Sequence, residues 1–323
     1  MALQAGLLAT LGGLVLLALL LLRDGDGSAP SRGDTALVNT LAFSAGGSIY
    51  TVAADGSALR EVIPGDRESM WNAAPALSPD GAKLIFVRDF DLWVASADGQ
   101  DVRLLADVGN FATPTGGGAS NPSLGAQSLA WSPDGEHIAY VVARIGGSGV
   151  SQIWAMRPDG SEREEIYVSG GFLVAAWLDG EQIAAYEWAG QVRVFRRTGE
   201  EEPNVLISDE ERSALTATRA ANGRWLVGAF INEGPILYGE PGDMRQVAIG
   251  VSPALSPDGR SFAYFLGDTL RVASVDGTAD EQIVDLAPLE GRDRHSAETP
   301  GCFPQHLPGC DYRPSVISWT EGR

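Results

Sequence analysis

The chain has few basic residues. Its 323 residues include 23 Lys and Arg against 42 Asp and Glu, which gives a formal net charge of −19 at pH 7. Lys83 is the only lysine. A surface this acidic repels the phosphate backbone, so we expect no nucleic-acid partner. Two cysteines are too few for a disulfide-rich scaffold or an iron–sulfur protein.

Aromatic residues are also scarce, at 8%, whereas the chain has 40 glycines and 18 prolines. This composition indicates many turns. With 44% hydrophobic and 20% charged residues, the sequence is that of a folding chain and not of a disordered tail. Its length fits two ordinary domains or one large β domain.

One long apolar run stands near the N-terminus, at residues 5–22. As a helix, about 18 residues would span roughly 27 Å, close to the hydrocarbon core of a bilayer. A cleaved signal peptide is the alternative, but the run lacks a positive flank before it, and its one candidate cleavage point is followed by Pro30. We predict a transmembrane anchor or signal segment at residues 1–22 and a flexible linker, rich in Gly, Asp, Ser and Pro, at residues 23–35.

The remainder of the chain contains a repeat built on Ala-x-Ser-Pro-Asp-Gly. Pro presets φ at the second turn position, Asp suits the third, and Gly accepts the positive φ that follows, so each copy predicts a hairpin. Each copy is followed by two apolar strands, then by a second glycine turn such as Ala-Asp-Gly, and then by a third strand. The clear copies are residues 76–81, 130–135 and 254–259.

Degenerate copies fill the gaps between the clear ones. They stand at residues 176–180 and 220–223, and the strands near residue 40 lack the strand that should precede them. Residues 314–320 can supply that strand from the other end of the chain. We therefore predict six units of four strands, with the C-terminal strand completing the first unit and removing an exposed edge.

This combination of turns and strands resembles the six-bladed TolB-like propeller repeats of bacterial envelope proteins. The resemblance covers about residues 36–323. It implies an all-β, six-bladed propeller that binds proteins in the cell envelope, and it implies no reaction. The N-terminal domain that accompanies the propeller in TolB has no counterpart here.

Four residues near the C-terminus could carry chemistry: His295, Cys302, His306 and Cys310. Their spacing does not match the usual zinc patterns, although a metal site or free thiols remain alternatives. We predict a disulfide between Cys302 and Cys310, which would require an oxidising compartment.

Arg23 after the apolar run weakly favours a propeller inside the cytoplasm, but large domains can cross the membrane regardless of flanking charge. We expect a single-pass protein of the cell membrane with its propeller outside the cytoplasm.

We predict no catalytic residue, no metal site and no cofactor. The Asp residues of the repeats are interpreted as turn formers, His137 as a solvated strand residue, and the tryptophans as packing between blades. Trp71, which falls in a loop, is the exception. The alternative is a metal-dependent propeller enzyme, similar to a lactonase or a lyase, with its site at the central channel. The inner strands offer few ligands for such a metal.

The long insertions all fall between the second and third strands of a unit or between units, so they should share one end of the propeller. They cover residues 64–74, 107–127, 144–151 and 287–313. We predict that this long-loop face binds or scaffolds a protein or another envelope ligand. The candidate binding residues are Arg67, Trp71, Phe111, Arg292, Arg294 and His295.

Overall fold

The computed structural model describes residues 38–65, 72–89, 91–108, 124–144, 151–169, 172–187, 191–199, 207–208, 215–220, 222–229, 233–289 and 317–320. All of them lie in one compact unit, Asp34–Arg323. Within these ranges the chain forms β-strands and no helix, which confirms the all-β class. Accordingly, none of the described segments is a helix able to cross a bilayer. The segments 1–22 and 23–35 lie outside these ranges, and the domain boundaries stay predictions.

Four antiparallel sheets have four strands each. The first sheet contains β1 (Thr40–Ala45), β2 (Ser48–Ala53) and β3 (Arg60–Ile63), with β23 (Ser318–Thr320) beside β1. The second contains β4 (Asn72–Leu77), β5 (Lys83–Arg88), β6 (Asp91–Ser96) and β7 (Arg103–Ala106). The third contains β8 (Leu124–Trp131), β9 (Ile138–Arg144), β10 (Ser151–Met156) and β11 (Glu164–Ser169). The fourth contains β12 (Phe172–Trp177), β13 (Gln182–Glu187), β14 (Gln191–Arg196) and β15 (Ile207–Ser208).

The fifth sheet has seven strands because one long strand serves two groups. It contains β16 (Leu215–Arg219), β17 (Trp225–Ala229), β18 (Gly234–Glu240), β19 (Asp243–Leu255), β20 (Ser261–Leu266), β21 (Thr269–Ser274) and β22 (Asp280–Asp285). The 13-residue β19 pairs with β18 from Asp243 to Gly250 and with β20 from Val251 to Leu255. The repeat period predicts two separate strands here, but β19 continues through Gly250, Ser252 and Pro253, with φ of 51° at Ser252 and an irregular pairing with β20 between Val251 and Ala254.

The sheets are arranged as in a propeller, side by side. The strand that begins each four-stranded group contacts the corresponding strand of the next group, in the order β23, β4, β8, β12, β16, β19 and again β23. Apolar clusters fill the space between neighbouring sheets. One of them joins the two ends of the chain, since Phe43 of β1 lies edge-on to Phe265 of β20, with ring centroids 6.4 Å apart.

The Ser-Pro-Asp-Gly turns have the geometry that their sequence predicts. In the copy after β8, Ser132 Oγ donates to Asp134 Oδ1 at 2.6 Å, and the same carboxylate oxygen accepts the N–H of Glu136 at 2.9 Å. Gly135 follows with φ of 75°. The copies at Ser78 and Ser256 repeat this pattern. The interpretation of these Asp residues as turn formers is confirmed.

Two tryptophans connect neighbouring sheets, as expected. Trp131 Nε1 donates to the carbonyl of Ala76 at 3.1 Å, and Trp177 Nε1 donates to the carbonyl of Ala130 at 3.2 Å. Each bond runs from the inner strand of one sheet to the inner strand of the sheet before it. Trp71 and Trp188 lie outside the described residues.

Candidate interaction face

The predicted site residues all lie outside the described part of the chain. This holds for Arg67, Trp71, Phe111, Arg292, Arg294 and His295, and also for Cys302 and Cys310. Their positions therefore stay predictions. What the structure does describe is the set of strand ends from which their loops depart.

The strand order places the departure points of the long connections. In an antiparallel sheet, the β1–β2 turn and the connection that follows β3 leave from the same end, whereas the β2–β3 turn lies at the other. The expectation that all long connections share one end is wrong for residues 197–206, which join a third strand to a fourth and lie at the other end. The other long connections leave after Ile63, Ala106, Arg144 and Asp285. Each of these residues ends a second or fourth strand of its group. We call the corresponding end of the propeller the long-loop face and the opposite end the short-turn face.

Asn72 fixes the return of the first of these connections. Its side chain is fully buried at the start of β4. The backbone N–H and the Nδ2 of Asn72 both donate to the carbonyl of Gly47, at 3.0 and 2.8 Å, and Nδ2 also reaches the carbonyl of Pro64 at 3.3 Å. Ser48 Oγ accepts the N–H of Gly65 at 3.1 Å close by. The first two sheets are thus joined at the long-loop face by a satisfied polar network.

Arg88 ends β5 beside this network, as the cross-strand partner of Asn72. Its Nε donates to Asn72 Oδ1 at 2.7 Å. Its guanidinium carbon lies 5.2 Å from the centre of the Phe86 ring and 5.1 Å from that of Trp93. Burial lowers the pKa of Arg88, against the opposing effect of Asp89. An arginine nonetheless stays protonated, so a fixed positive charge lies at the long-loop face.

The sequence interpretation missed Asn72 and Arg88. A signal existed, because an Asn opening an otherwise apolar inner strand and an Arg closing a buried strand both break the local pattern. Their pairing depends on strand register, and that register could not be read from the repeats alone.

Other loop bases at this face are also held by side chains. Asp91 Oδ1 accepts the N–H of Val108 at 2.8 Å, at the start of the connection to β8. Glu233 Oε1 accepts the N–H of Gly267 at 2.9 Å, between two neighbouring turns. These contacts give the long connections ordered points of departure.

A small cleft lies between the second and third sheets. It encloses about 280 Å³, including space open to solvent, and is lined by Asp107, Val108, Tyr140, Val142, Gln152, Trp154 and Arg163. Trp154 Nε1 donates to Gln152 Oε1 at 3.1 Å, and Arg163 Nη2 donates to the carbonyl of Leu105 at 3.4 Å. Burial raises the pKa of Tyr140 to about 12, so its phenol stays neutral at physiological pH. The Arg163 bond connects the two sheets, whereas the Trp154 bond lies within β10.

The expectation for His137 was wrong. It precedes β9 and is half-buried, with its ring centroid 6.1 Å from that of Trp177 in the next sheet. Its Nδ1 is buried without a hydrogen-bond partner. His137 therefore lies outside the strand and is only partly solvated.

The described inner strands offer no set of metal ligands. No group of three or more His, Cys, Asp or Glu side chains that could hold a metal occurs among the described residues. The strands β4, β8, β12, β16 and β23 contain small, apolar and hydroxyl residues together with two amides, Asn72 and Gln127, and Arg219 is the one charged residue of these five. Their composition matches packing around an axis.

Solved structures with a similar fold include TolB from Acinetobacter baumannii, with a TM-score of 0.59 at 14% identity over 88% of this chain and 67% of that one. A chain from the crystal structure of a nidogen/laminin complex has a TM-score of 0.58 at 11% identity, over 75% of this chain and 91% of that one. The putative TolB from Agrobacterium tumefaciens has a TM-score of 0.55 at 16% identity, over 76% and 88%. At these identities the similarity shows the fold alone. It confirms the resemblance to TolB-like propeller proteins that the repeats predict.

A family match covers part of the chain. Residues 43–169 match the family described as the dipeptidyl peptidase IV (DPP IV) N-terminal region. This segment is less than half of the chain and spans the first three sheets. No curated protein matches the sequence.

Proposed function

We propose that this chain is a six-bladed propeller, anchored in the cell membrane and facing out of the cytoplasm, that binds or scaffolds a protein partner through its long-loop face without catalysing a reaction. The observation that carries the proposal is the asymmetry between the two faces. The two longest connections between described strands, residues 107–123 and 286–317, both leave from one face, and side chains such as Asn72 and Asp91 hold loop bases there.

Six blades follow if β19 is counted as the last strand of the fifth blade and the first strand of the sixth. Two contacts support closure of the ring. β23 pairs with β1, from Thr320 opposite Thr40 to Ser318 opposite Ala42. A Cβ on Gly56 of the first sheet would approach the carbonyl oxygen of Ile283 in β22 to 3.0 Å, so the first and last blades are in direct contact.

The partner should depend on the arginines predicted for the long-loop face. Charge reversal at Arg67 and Arg292 should weaken capture of any partner recovered by cross-linking on intact membranes. The matched controls are Arg60 and Arg103, which are exposed at the first residues of β3 and β7, on the short-turn face. Equal loss from both pairs of variants would contradict the proposal.

The alternative is a metal-dependent propeller enzyme, and metal analysis separates the two. If the chain acts by binding alone, the purified protein should carry less than one equivalent of calcium, zinc or manganese after dialysis. One tightly held equivalent, lost together with a lactonase or lyase activity on chelation, would favour the enzyme.

A further inference from the structure

The Arg88 side chain is held in one arrangement at the junction of the first two blades. Phe86 and Trp93 lie against its guanidinium, and Asn72 Oδ1 accepts its Nε–H. Asn72 itself is fully buried and bonded to the carbonyl of Gly47 across the blade junction. Much of the rotamer entropy that an exposed arginine loses on binding is therefore already lost in the free protein.

This arrangement uses one of the five N–H donors of the guanidinium. The terminal Nη1 and Nη2 atoms have no hydrogen-bond partner among the described residues, and the side chain is only half-buried. The guanidinium is held by the bond from its Nε and by the rings that lie against it. Its terminal nitrogens therefore remain available to a planar, bidentate acceptor. Arg88 thus combines a fixed position with unused donors.

The local charge fits a monoanion better than a phosphate. Asp89 is exposed directly beside Arg88 and carries the opposite charge, and the chain as a whole is strongly acidic. A phosphate dianion would meet one guanidinium against this negative background, whereas a single carboxylate would be matched by it.

The neighbouring backbone donors are already used. The N–H of Asn72 donates to Gly47, and the N–H of Gly65 donates to Ser48 Oγ. Capture of a chain terminus commonly relies on a nest of free backbone N–H groups. These two N–H groups are not free to form one, so a side-chain carboxylate suits the junction better than a C-terminus.

We propose that Arg88 is a binding site for an aspartate or glutamate side chain of the protein partner, held in place by the rings of Phe86 and Trp93 and by the Asn72 hydrogen bond. The identity of the occupant rests on the proposed function, whereas the affinity for a carboxylate does not.

The site is tested with small probes on the full chain, by NMR of arginine side-chain N–H signals. The Arg88 signal is assigned by its loss in Arg88→Lys. N-acetylglutamate α-amide should shift it saturably in the millimolar range, and N-acetylalanine and inorganic phosphate should bind at least about tenfold more weakly, a difference of about 1.4 kcal/mol. Arg193 is the control, because it also lies against two rings, Tyr167 and Phe195, but makes a further interaction. Its signal should not move.

Two results would overturn the site: no saturable shift of the Arg88 signal, or stronger binding of phosphate or of N-acetylalanine than of the glutamate probe. Arg88→Lys keeps the charge and loses the fork, so its stability should be measured alongside. If the probe binds but charge reversal on the long-loop face leaves partner capture unchanged, the proposed function fails and the carboxylate site stands. If capture depends on the face and the probe does not bind, only the inference about Arg88 fails.

Discussion

Gly99 and Gly277 occupy the same turn position in two different blades, but their surroundings differ. Both have positive φ, 87° and 80°. A Cβ on Gly99 would lie 1.9 Å from the carbonyl oxygen of Val62 in the preceding sheet, whereas a Cβ on Gly277 would meet nothing within 4 Å. Gly160 and Gly199 similarly approach the backbone of the sheet before them. These glycines are required for blade packing as well as for turn geometry.

We expect Gly277→Ala to cost about 1–2 kcal/mol, the usual penalty of a left-handed alanine. Gly99→Ala should cost clearly more, because the first two blades must also separate. Thermal unfolding of the two variants measures the difference. Equal melting temperatures would show that the close approach at Val62 relaxes without cost.

The turn aspartates should make the stability of the fold decrease as the pH falls. Hydrogen bonds from Thr278 and Ser274 lower the pKa of Asp276 to about 2, from an ordinary value of 3.8. Hydrogen bonds also lower the pKa of Asp258, where Ser256 is the main donor. A carboxyl with a lowered folded-state pKa stabilises fully above its unfolded pKa and loses that contribution as the pH falls through the folded one. This window runs from about pH 4 down to about pH 2.

Asp276→Asn keeps an acceptor oxygen and removes the titration, so its melting temperature should fall less on acidification than that of the parent. The β16–β17 turn offers the reciprocal variant, since Asn222 Oδ1 accepts the N–H of Arg224 at 3.0 Å just as Asp258 Oδ1 accepts that of Arg260. Asn222→Asp should steepen the acid dependence. Unchanged profiles in both variants would rule out the turns as its source.

At the scale of elements, β23 bonds to two sheets at once. Besides pairing with β1, Ser318 Oγ accepts the N–H of Leu77 at 2.9 Å, and Thr320 Oγ1 donates to the carbonyls of Ser78 and Pro79 at 3.0 and 3.1 Å. Removing this strand exposes the edge of β1 and separates the first blade from the second. The strand should therefore be required for the whole ring.

Truncation after Arg313 should lower the melting temperature and broaden the transition, whereas truncation after Thr320 should change neither. Thr320→Val is a milder test, and we expect a loss of about 1 kcal/mol because the group that donates to two carbonyls is removed. A protein cut at Arg313 that melts cooperatively at the parent temperature would refute closure by this strand.

How much of these elements could be predicted depends on how local their causes are. The Ser-Pro-Asp-Gly turns and the strands around them were predictable because each turn is made by its own residues, such as Ser132 and Asp134. The continuity of β19 was not, since Gly250, Ser252 and Pro253 by themselves favour a turn at that point. The Asn72–Arg88 pair was missed because it depends both on the register of β4 against β5 and on the position of the neighbouring blade. The loop residues predicted to bind a partner lie outside the described chain, so that part of the prediction is untested.

At the scale of the whole molecule, the two faces differ in which parts of the chain are attached to them. Thr40 begins β1 opposite Thr320, so both chain ends meet the propeller at the short-turn face. A membrane segment at residues 1–22 would be connected there through residues 23–35, a flexible tether of roughly 20 Å r.m.s. length. If the proposed anchor holds the chain to a bilayer, we predict that the short-turn face lies nearer to the lipid than the long-loop face.

Gly267 and Gly277 allow this orientation to be measured within a single blade. Gly267 lies in the β20–β21 turn at the long-loop face and Gly277 in the β21–β22 turn at the short-turn face. Both have positive φ and open space for an added side chain. The strand between them has six residues, about 20 Å. With Cys302 and Cys310 replaced by serine, a dye on Gly277→Cys should transfer energy to an acceptor in nanodisc lipids more efficiently than a dye on Gly267→Cys. Equal transfer, the reverse order, or no association with the nanodisc would contradict the anchored orientation.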